Sequence, residues 1–411
     1  MAVCAFVAAD EIKDKKSSRP DATYAETIAP IMNRSCVSCH RTGGIAPFSL
    51  VGYDNTKKWI ATIASVTQSG YMPPWKAVHG YGDFKDENRL SKMEIDQIQQ
   101  WNETGMPRGD ESKEPASPKF VTNWPLRQPD LIVQPEKSYH VDAEGGDLYR
   151  SFVIKNQFKK PTWIKAIAIQ PGNAKVVHHV IVFTDATGMA QESEVANTDG
   201  QPGFVDSGGA PGFIPSGVLG TWAPGATTRE FPAGTAMLVS PKDKIVIQVH
   251  YHKTGKPEED QTKLGLYFAT EKIKHRMLVD WIMDVDLRIP ADDNHYVESY
   301  DQTVDENMTI YSAFPHMHNL GQSLKAEIRY PDGKIQPLIW VDKWDFRWQL
   351  TYSMKDPIKA PKGSVIHIDA VYDNSAANVL NPHSPPKRVK FGRRTTDEML
   401  LLVLDYALDK S

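Results

Sequence analysis

The chain has 411 residues, 40% of them hydrophobic and 24% charged, with a formal net charge of −4. That length allows two or three domains, each able to bury its own core, and the composition is that of an ordinary globular protein. The slight negative balance, without any dense Lys/Arg run, excludes an electrostatic case for a nucleic-acid partner. Cysteine is scarce: Cys4, Cys36 and Cys39. If the last two carry a cofactor, no pair is left for an intramolecular disulfide.

The chain opens on a short apolar run, Met1 to Ala9, that changes abruptly to Asp10-Glu11-Ile12-Lys13-Asp14-Lys15-Lys16. The run is too short to span a membrane and lacks a basic start. Residues 1–19 therefore read as the remnant of a secretory signal, with Val7 and Ala9 suiting cleavage after Ala9, or as a disordered start. No later segment has an apolar run long enough to cross a bilayer, so no membrane span is expected.

Thr23 to Ser35 has helical spacing, with Ile28, Ile31 and Met32 on one face and Pro30 as a kink or restart point. It leads into Cys36-Val37-Ser38-Cys39-His40. This spacing is the attachment signature for a c-type haem: two thiols on one turn reach the two vinyl groups, and the imidazole of His40 is placed as an axial iron ligand. Half of a closed zinc site would need a second Cys pair, which the chain lacks. A thioredoxin-type redox pair would need a βαβ setting. Asn55 to Ser69 reads as a second helix, with Trp59, Ile60, Ile63 and Val66 inward, ending at Gly70. Tyr71-Met72-Pro73-Pro74-Trp75 then holds a thioether in a rigid proline loop, which makes Met72 the candidate sixth ligand; His79, Met93 and Met106 are the alternatives. Ser91-Lys92-Met93-Glu94 is a capping box opening a third helix with Ile95, Ile98 and Trp101 at helical spacing, stopped at Gly105 and Pro107. Three helices around this motif resemble a small all-α cytochrome c domain over residues 20–109, including Arg41 to Phe48 just after the haem motif.

Residues 110–129 read as a linker, Pro107 to Pro118 being rich in Pro, Gly, Ser and charge. From about Asp130 short β-branched runs alternate with turn residues: Ile164–Ile169, Val176–Phe183, Ile245–Tyr251, Gly265–Phe268, Val365–Tyr372 and Met399–Leu404. This is an all-β pattern of sandwich type, long enough for two sandwiches.

Six of the 13 histidines fall in three short clusters on these strands: His178-His179, His250-Tyr251-His252 and His316-Met317-His318. Strand alternation puts His316 and His318 on one face, and likewise His250 and His252, so each pair can chelate. The neighbours His178 and His179 should point to opposite faces, so gripping one ion needs a bulge, a strand end or the use of different ring nitrogens. All-imidazole donors suit copper or zinc, and a thioether tips the balance to copper; Met399 is the candidate.

The order of these clusters resembles the copper type II, ascorbate-dependent monooxygenase family, which includes peptidylglycine α-hydroxylating monooxygenase and dopamine β-monooxygenase. The matching stretches are His178-His179, Gln248-Val249-His250-Tyr251, His316-Met317-His318 before Leu320-Gly321, and Thr396-Asp397-Glu398-Met399, within about residues 130–411. The resemblance implies two all-β, jelly-roll-like sandwiches, at 130–272 and 273–411, with one of two copper ions in each, facing one another across a solvent cleft. His178, His179 and His250 would hold the electron-transfer copper, and His316, His318 and Met399 the copper that activates dioxygen. The reaction implied is hydroxylation of a C–H bond with O2.

The chain departs from that family's pattern at the substrate. Where the peptide-processing enzymes place an Arg, an Asn and a Tyr, this sequence has Phe314, Leu401 and Val403, so a carboxylate would find no cation and a more apolar small molecule is expected. His252 is an extra imidazole, either behind the ligands or replacing one, and Gln248 is a further possible contributor. Electrons from an external donor, ascorbate or a redox protein, would enter through the fused haem, and c-haem attachment implies a bacterial periplasmic or secreted protein. The competing readings are a non-catalytic copper/haem electron-transfer or copper-binding protein, and a zinc hydrolase, which lacks a general base near the clusters.

Overall fold

Helical spacing in the first hundred residues becomes helix where the punctuation predicts it. The protein is described here from a computed structural model covering residues 22–409, except 43, 45, 121–123, 147, 156–157, 207–212, 214, 223–227 and 393. The expected signal remnant or disordered start at 1–19, with Cys4, lies outside the described residues, as do Gly43 and Ile45 beyond the haem motif. Tyr24–Ile28 forms a π-type turn, and α1 (Ala29–Ser35) restarts with Pro30 in its first turn, where a missing N–H costs no helical bond. Helix α2 (Tyr53–Gln68) begins two residues earlier than predicted and is followed by Gly70 in the left-handed region at φ 70°. Helix α3 (Lys92–Glu103) opens on the predicted capping box: Glu94 N–H donates to Ser91 Oγ at 3.3 Å, and Ser91 N–H donates back to Glu94 Oε2 at 2.8 Å. Tyr24, Ile28, Met32, Ile60, Ile98 and Trp101 are buried. Trp101 Nε1–H donates to Pro107 O, so the indole is satisfied inside the core.

The chain divides into two compact units, and the described residues of the helical one are 22–37, 48–73 and 90–118. Two stretches expected inside the helical module instead belong to the β unit: the described residues of 38–47, with Cys39 and His40 of the haem motif, and 74–89, which runs along the edges of the second sandwich. Val78 N–H donates to Trp340 O and Lys85 N–H to Ser353 O, Ala77 and Phe84 bridge to Val341 and Met354, and Trp75 packs edge-on to Tyr352 at 5.0 Å. Two strands that would otherwise end the sheets with unpaired backbone groups are thereby covered.

The β unit contains two sandwiches. In the first, one sheet runs Leu131–Val133, Lys263–Phe268, Thr162–Gln170, Thr235–Val239 and His275–Arg276, and the other runs Phe204–Val205, Leu148–Ile154, Lys244–Tyr251, Val177–Asp185 and Gly217–Trp222. Ile164, Leu264 and Leu266 from one sheet meet Val180, Ile245 and Val249 from the other in a single buried cluster. The first sandwich reaches Arg276, a few residues beyond the expected boundary at 272, because His275 and Arg276 pair with Thr235 and Ala236. In the second sandwich, Leu278–Met283, Leu401–Leu408, Met308–His316 and Tyr352–Ala360 face Tyr296–Thr303, Val365–Tyr372, Gly321–Arg329 and Ile335–Val341. Ile310, Leu402, Leu404, Leu324, Ile366 and Ile368 fill the space between.

The capping box is a local contribution that can be removed alone. Ser91→Ala is expected to cost about 1 kcal/mol of helical-unit stability, read as a lower urea midpoint of the helical circular-dichroism signal.

Candidate metal centres

On the strand Lys244–Tyr251, Ile245, Ile247, Val249 and Tyr251 face the sandwich core, so Gln248 and His250 lie on the opposite face. His250 pairs with His179, whereas the next residue, Tyr251, pairs with Val177. His178 is therefore the extra residue of a β-bulge, which releases it from strict alternation. His178 Nδ1 lies 3.2 Å from His179 Nδ1, and His179 Nδ1 lies 3.4 Å from His250 Nδ1. Three ligand nitrogens fall within 4.8 Å of one another. One ring nitrogen carries either a single hydrogen or a single in-plane lone pair, so the Nδ1 of His179 cannot serve both neighbours by hydrogen bonding. A metal ion can: imidazole–metal bonds of about 2.0–2.1 Å in trigonal or tetrahedral geometry set the nitrogens ~3.3–3.6 Å apart. The donor set thus fits a copper- or zinc-class cation bound through three Nδ1 atoms. Tyr149 stacks on His250 at 4.1 Å and 11°, fixing that ring.

The two further candidates beside this cluster are placed differently. Gln248 is buried and donates through Nε2 to Asp206 Oδ2 at 2.8 Å, beside Ser151 Oγ–H at 2.6 Å. Burial pushes the Asp206 carboxyl up to about 6, against those two hydrogen bonds and the nearby Arg150 charge. His252 lies just past the strand end, its N–H donating to Val176 O, and its buried Nδ1 has no hydrogen-bond partner among the described residues. The metal cluster identified among the described residues does not include it.

The second centre forms where the strand Met308–His316 ends. His316 and His318 stand with ring centroids 5.1 Å apart and planes at 88°. Their hydrogen bonds assign the tautomers: His316 Nδ1 faces Gln349 Oε1 at 2.7 Å and His318 Nδ1 faces Asp397 O at 3.1 Å. Both acceptors are oxygens, so both Nδ1 atoms carry hydrogen and both Nε2 atoms offer lone pairs. Glu398, fully buried, holds the backbone around these rings. Its Oε1 accepts from His318 N–H and from Met399 N–H, the latter at 2.8 Å, and its Oε2 accepts from Leu320 N–H at 2.9 Å. One carboxylate thus ties the His-x-His turn to the segment carrying Met399. Burial pushes it up to about 8, opposed by those backbone donors. Two imidazoles joined to a thioether-bearing segment suit a soft cation such as Cu(I).

The Phe346 ring stands between the two centres, 6.5 Å from His178 and 5.9 Å from His318. Trp344 Nε1–H donates to His318 O at 3.0 Å. Trp344, Phe346 and Gln349 were not singled out by the sequence reading, because none is a metal donor; the aromatic run Trp344 to Trp348 between two strands was the available signal. Phe314 lies two residues before His316 on the same face, directly opposite Val403, and Leu401 is opposite His316. These three apolar side chains therefore share the sheet face that carries a ligand candidate.

The haem-motif residues sit at the end of α1. Cys36 caps that helix, its N–H donating to Met32 O. Cys36 and Cys39 are half-buried on one turn, and burial pushes the Cys39 thiol up. Two thiols three residues apart, followed by His40, are a donor set that fits covalent haem attachment. Met72 is half-buried, its N–H donating to Val66 O. Among the alternatives, His79 is exposed and paired with Glu87, and Met93 is exposed. No helix among the described residues is long and apolar enough to cross a membrane.

No protein-family model and no curated protein matches this sequence. Similar solved structures include the major capsid protein P2 of bacteriophage PM2, at 8% identity and a TM-score of 0.25, covering 68% of this chain and 98% of that one. PNGF-II follows at 9% identity and a TM-score of 0.24, covering 71% and 63%. VP2 of infectious bursal disease virus has 7% identity and a TM-score of 0.19, covering 70% and 84%. At such scores these likenesses carry no weight for function.

Burial holds His316 down at about 3 and His318 at about 4, and holds His179 well below its ordinary range. In the unfolded chain these groups titrate near 6.5, so below that pH the unfolded state binds protons the folded state does not. These three imidazoles should therefore make the metal-free protein lose stability as pH falls from about 6.5 toward 4, by up to about 1.4 kcal/mol per pH unit per group, partly offset by the Glu398 and Asp206 carboxyls, which burial makes bind protons more readily in the folded state. Thermal melts across that range check this, and His316→Gln should flatten the slope. Separately, Glu398→Ala strands three buried N–H groups and should cost at least about 3 kcal/mol in urea denaturation.

Proposed function

We propose that the protein is a copper-dependent monooxygenase that hydroxylates a C–H bond of an apolar small molecule with O2. The observation that carries this reading is the pair of preorganised donor sets: three converging Nδ1 atoms on the first sandwich, and two Nε2 donors tied through Glu398 to the Met399 segment on the second. They match, in order and in type, the ligand pattern of the copper type II ascorbate-dependent monooxygenases. In this reading the two sandwiches are that family's jelly-roll-like N- and C-terminal domains, and residues 20–109 supply a cytochrome c module. Copper held at these donors would supply one-electron redox chemistry and dioxygen activation, and a c-type haem held by Cys36, Cys39, His40 and Met72 would supply the electrons.

The chain's own residues do the rest. His178, His179 and His250 would hold one ion, and burial keeps the His179 imidazole unprotonated. His316 and His318 present fixed lone pairs, and Glu398 keeps their turn beside Met399. Phe314, Leu401 and Val403 bind an uncharged substrate and exclude water from the face next to His316, where a carboxylate would lack a counter-charge. The balance is R–H, O2, two electrons and two protons giving R–OH and water. An external donor, ascorbate or a redox protein, renews the electrons, and haem attachment places the protein in a bacterial periplasm or outside the cell.

Labelled dioxygen tests the reading. One 18O atom should appear in the product from a neutral substrate, and Met399→Ala should lower that incorporation about 100-fold or more. Absence of incorporation across a broad panel of neutral substrates would favour a non-catalytic copper/haem electron carrier. Reduced haem should also reoxidise faster when copper and O2 are both present, because tethering raises the effective donor concentration.

A further inference from the structure

The loop between the strands Ile335–Val341 and Tyr352–Ala360 contributes no metal donor, yet three of its side chains touch the second centre or its surroundings. Gln349 makes the most specific contact. Its Nε2–H donates to Phe346 O at 2.9 Å, within the loop. That bond fixes which end of the amide is which, so the oxygen faces His316, and Oε1 lies 2.7 Å from His316 Nδ1. An amide oxygen can only accept. The ring must therefore carry its hydrogen on Nδ1 and keep the Nε2 lone pair open.

We infer that Gln349 is a positioning residue of the second centre, which sets the tautomer and ring orientation of His316 so that its Nε2 is the metal-binding nitrogen. The inference rests on the reading of His316 and His318 as ligands. His318 is set by a backbone carbonyl, Asp397 O, which no side-chain substitution there removes. His316 depends on a side chain from a different part of the chain. The Gln349 amide is in turn bound to the backbone of Phe346, whose ring stands between His178 and His318. The same short loop thus selects the His316 tautomer and separates the two donor clusters. Partners of this kind raise metal affinity by orienting the ligand before the ion arrives.

The test uses the full chain, metal-free and then titrated with Cu(I) under a competing chelator. In the metal-free protein labelled with 15N-histidine, His316, assigned with His316→Gln, should give the Nδ1–H pattern in long-range 1H–15N spectra. In Gln349→Leu that pattern should give way to a mixture or to Nε2–H. Gln349→Glu keeps an acceptor at the same place and should retain Nδ1–H. In the copper titration, Gln349→Leu should weaken the second equivalent roughly 10- to 100-fold and leave the first unchanged, and Gln349→Glu should restore it to within a few-fold. Unchanged Nδ1–H in Gln349→Leu overturns the inference, as does an equal loss of both copper equivalents. If the wild-type protein takes up no second copper, the metal reading fails, while the tautomer spectra still decide the role of Gln349.

Discussion

A β-strand sends successive side chains to opposite faces, and the first candidate centre exists because that rule is broken at one residue, whereas the second draws on two imidazoles spaced two residues apart where a strand ends. At His178 the strand carries one residue more than its neighbour, which lets two adjacent imidazoles join His250 on the outer face of the first sandwich. At His316 the strand ends, and the chain turns so that His318 meets His316 edge to face. In a regular strand, His178 would point into the core against Val180 and Val249. The sandwiches supply rigid frames, and the local irregularities supply convergence.

Convergence of this kind has to be held in place. Burial disfavours protonation at His179, His316 and His318, and neighbouring imidazoles add to it at His179 and His316. Neutral rings still need their orientation fixed, and the two centres achieve it differently. The first uses ring stacking of Tyr149 on His250. The second uses acceptors on the Nδ1 side together with Glu398, which gathers three backbone N–H groups from two distant segments. The consequence is a candidate imidazole donor that differs between the centres, Nδ1 in the first and Nε2 in the second.

In the proposed reading, substrate selection would follow from the same sheet register. Phe314 and Val403 pair directly, and Leu401 pairs with His316, so the face beside the second centre carries no charge from these positions. An apolar substrate meets no uncompensated polar group there, whereas an anionic one would lose its hydration without return.

The sequence by itself determined the local structures and the chemical types. Helix starts and stops around residues 24–103, the capping box at Ser91 and Glu94, the strands bearing His179, His250 and His316, and the conflict of His178-His179 with strict alternation were all legible, because they depend on periodicity and on residues a few positions apart. Only the tertiary structure decided what depends on distant segments meeting. The covering of the second sandwich's edges by residues 74–89, the Glu398 clamp, the Phe346 ring between the clusters and the Gln349 acceptor for His316 join residues up to some 280 positions apart. None of them belongs to a residue type or spacing that announces the contact. A glutamine is a metal-site residue only when the fold places its oxygen against an imidazole, and that placement is a property of loop geometry, which no local pattern encodes.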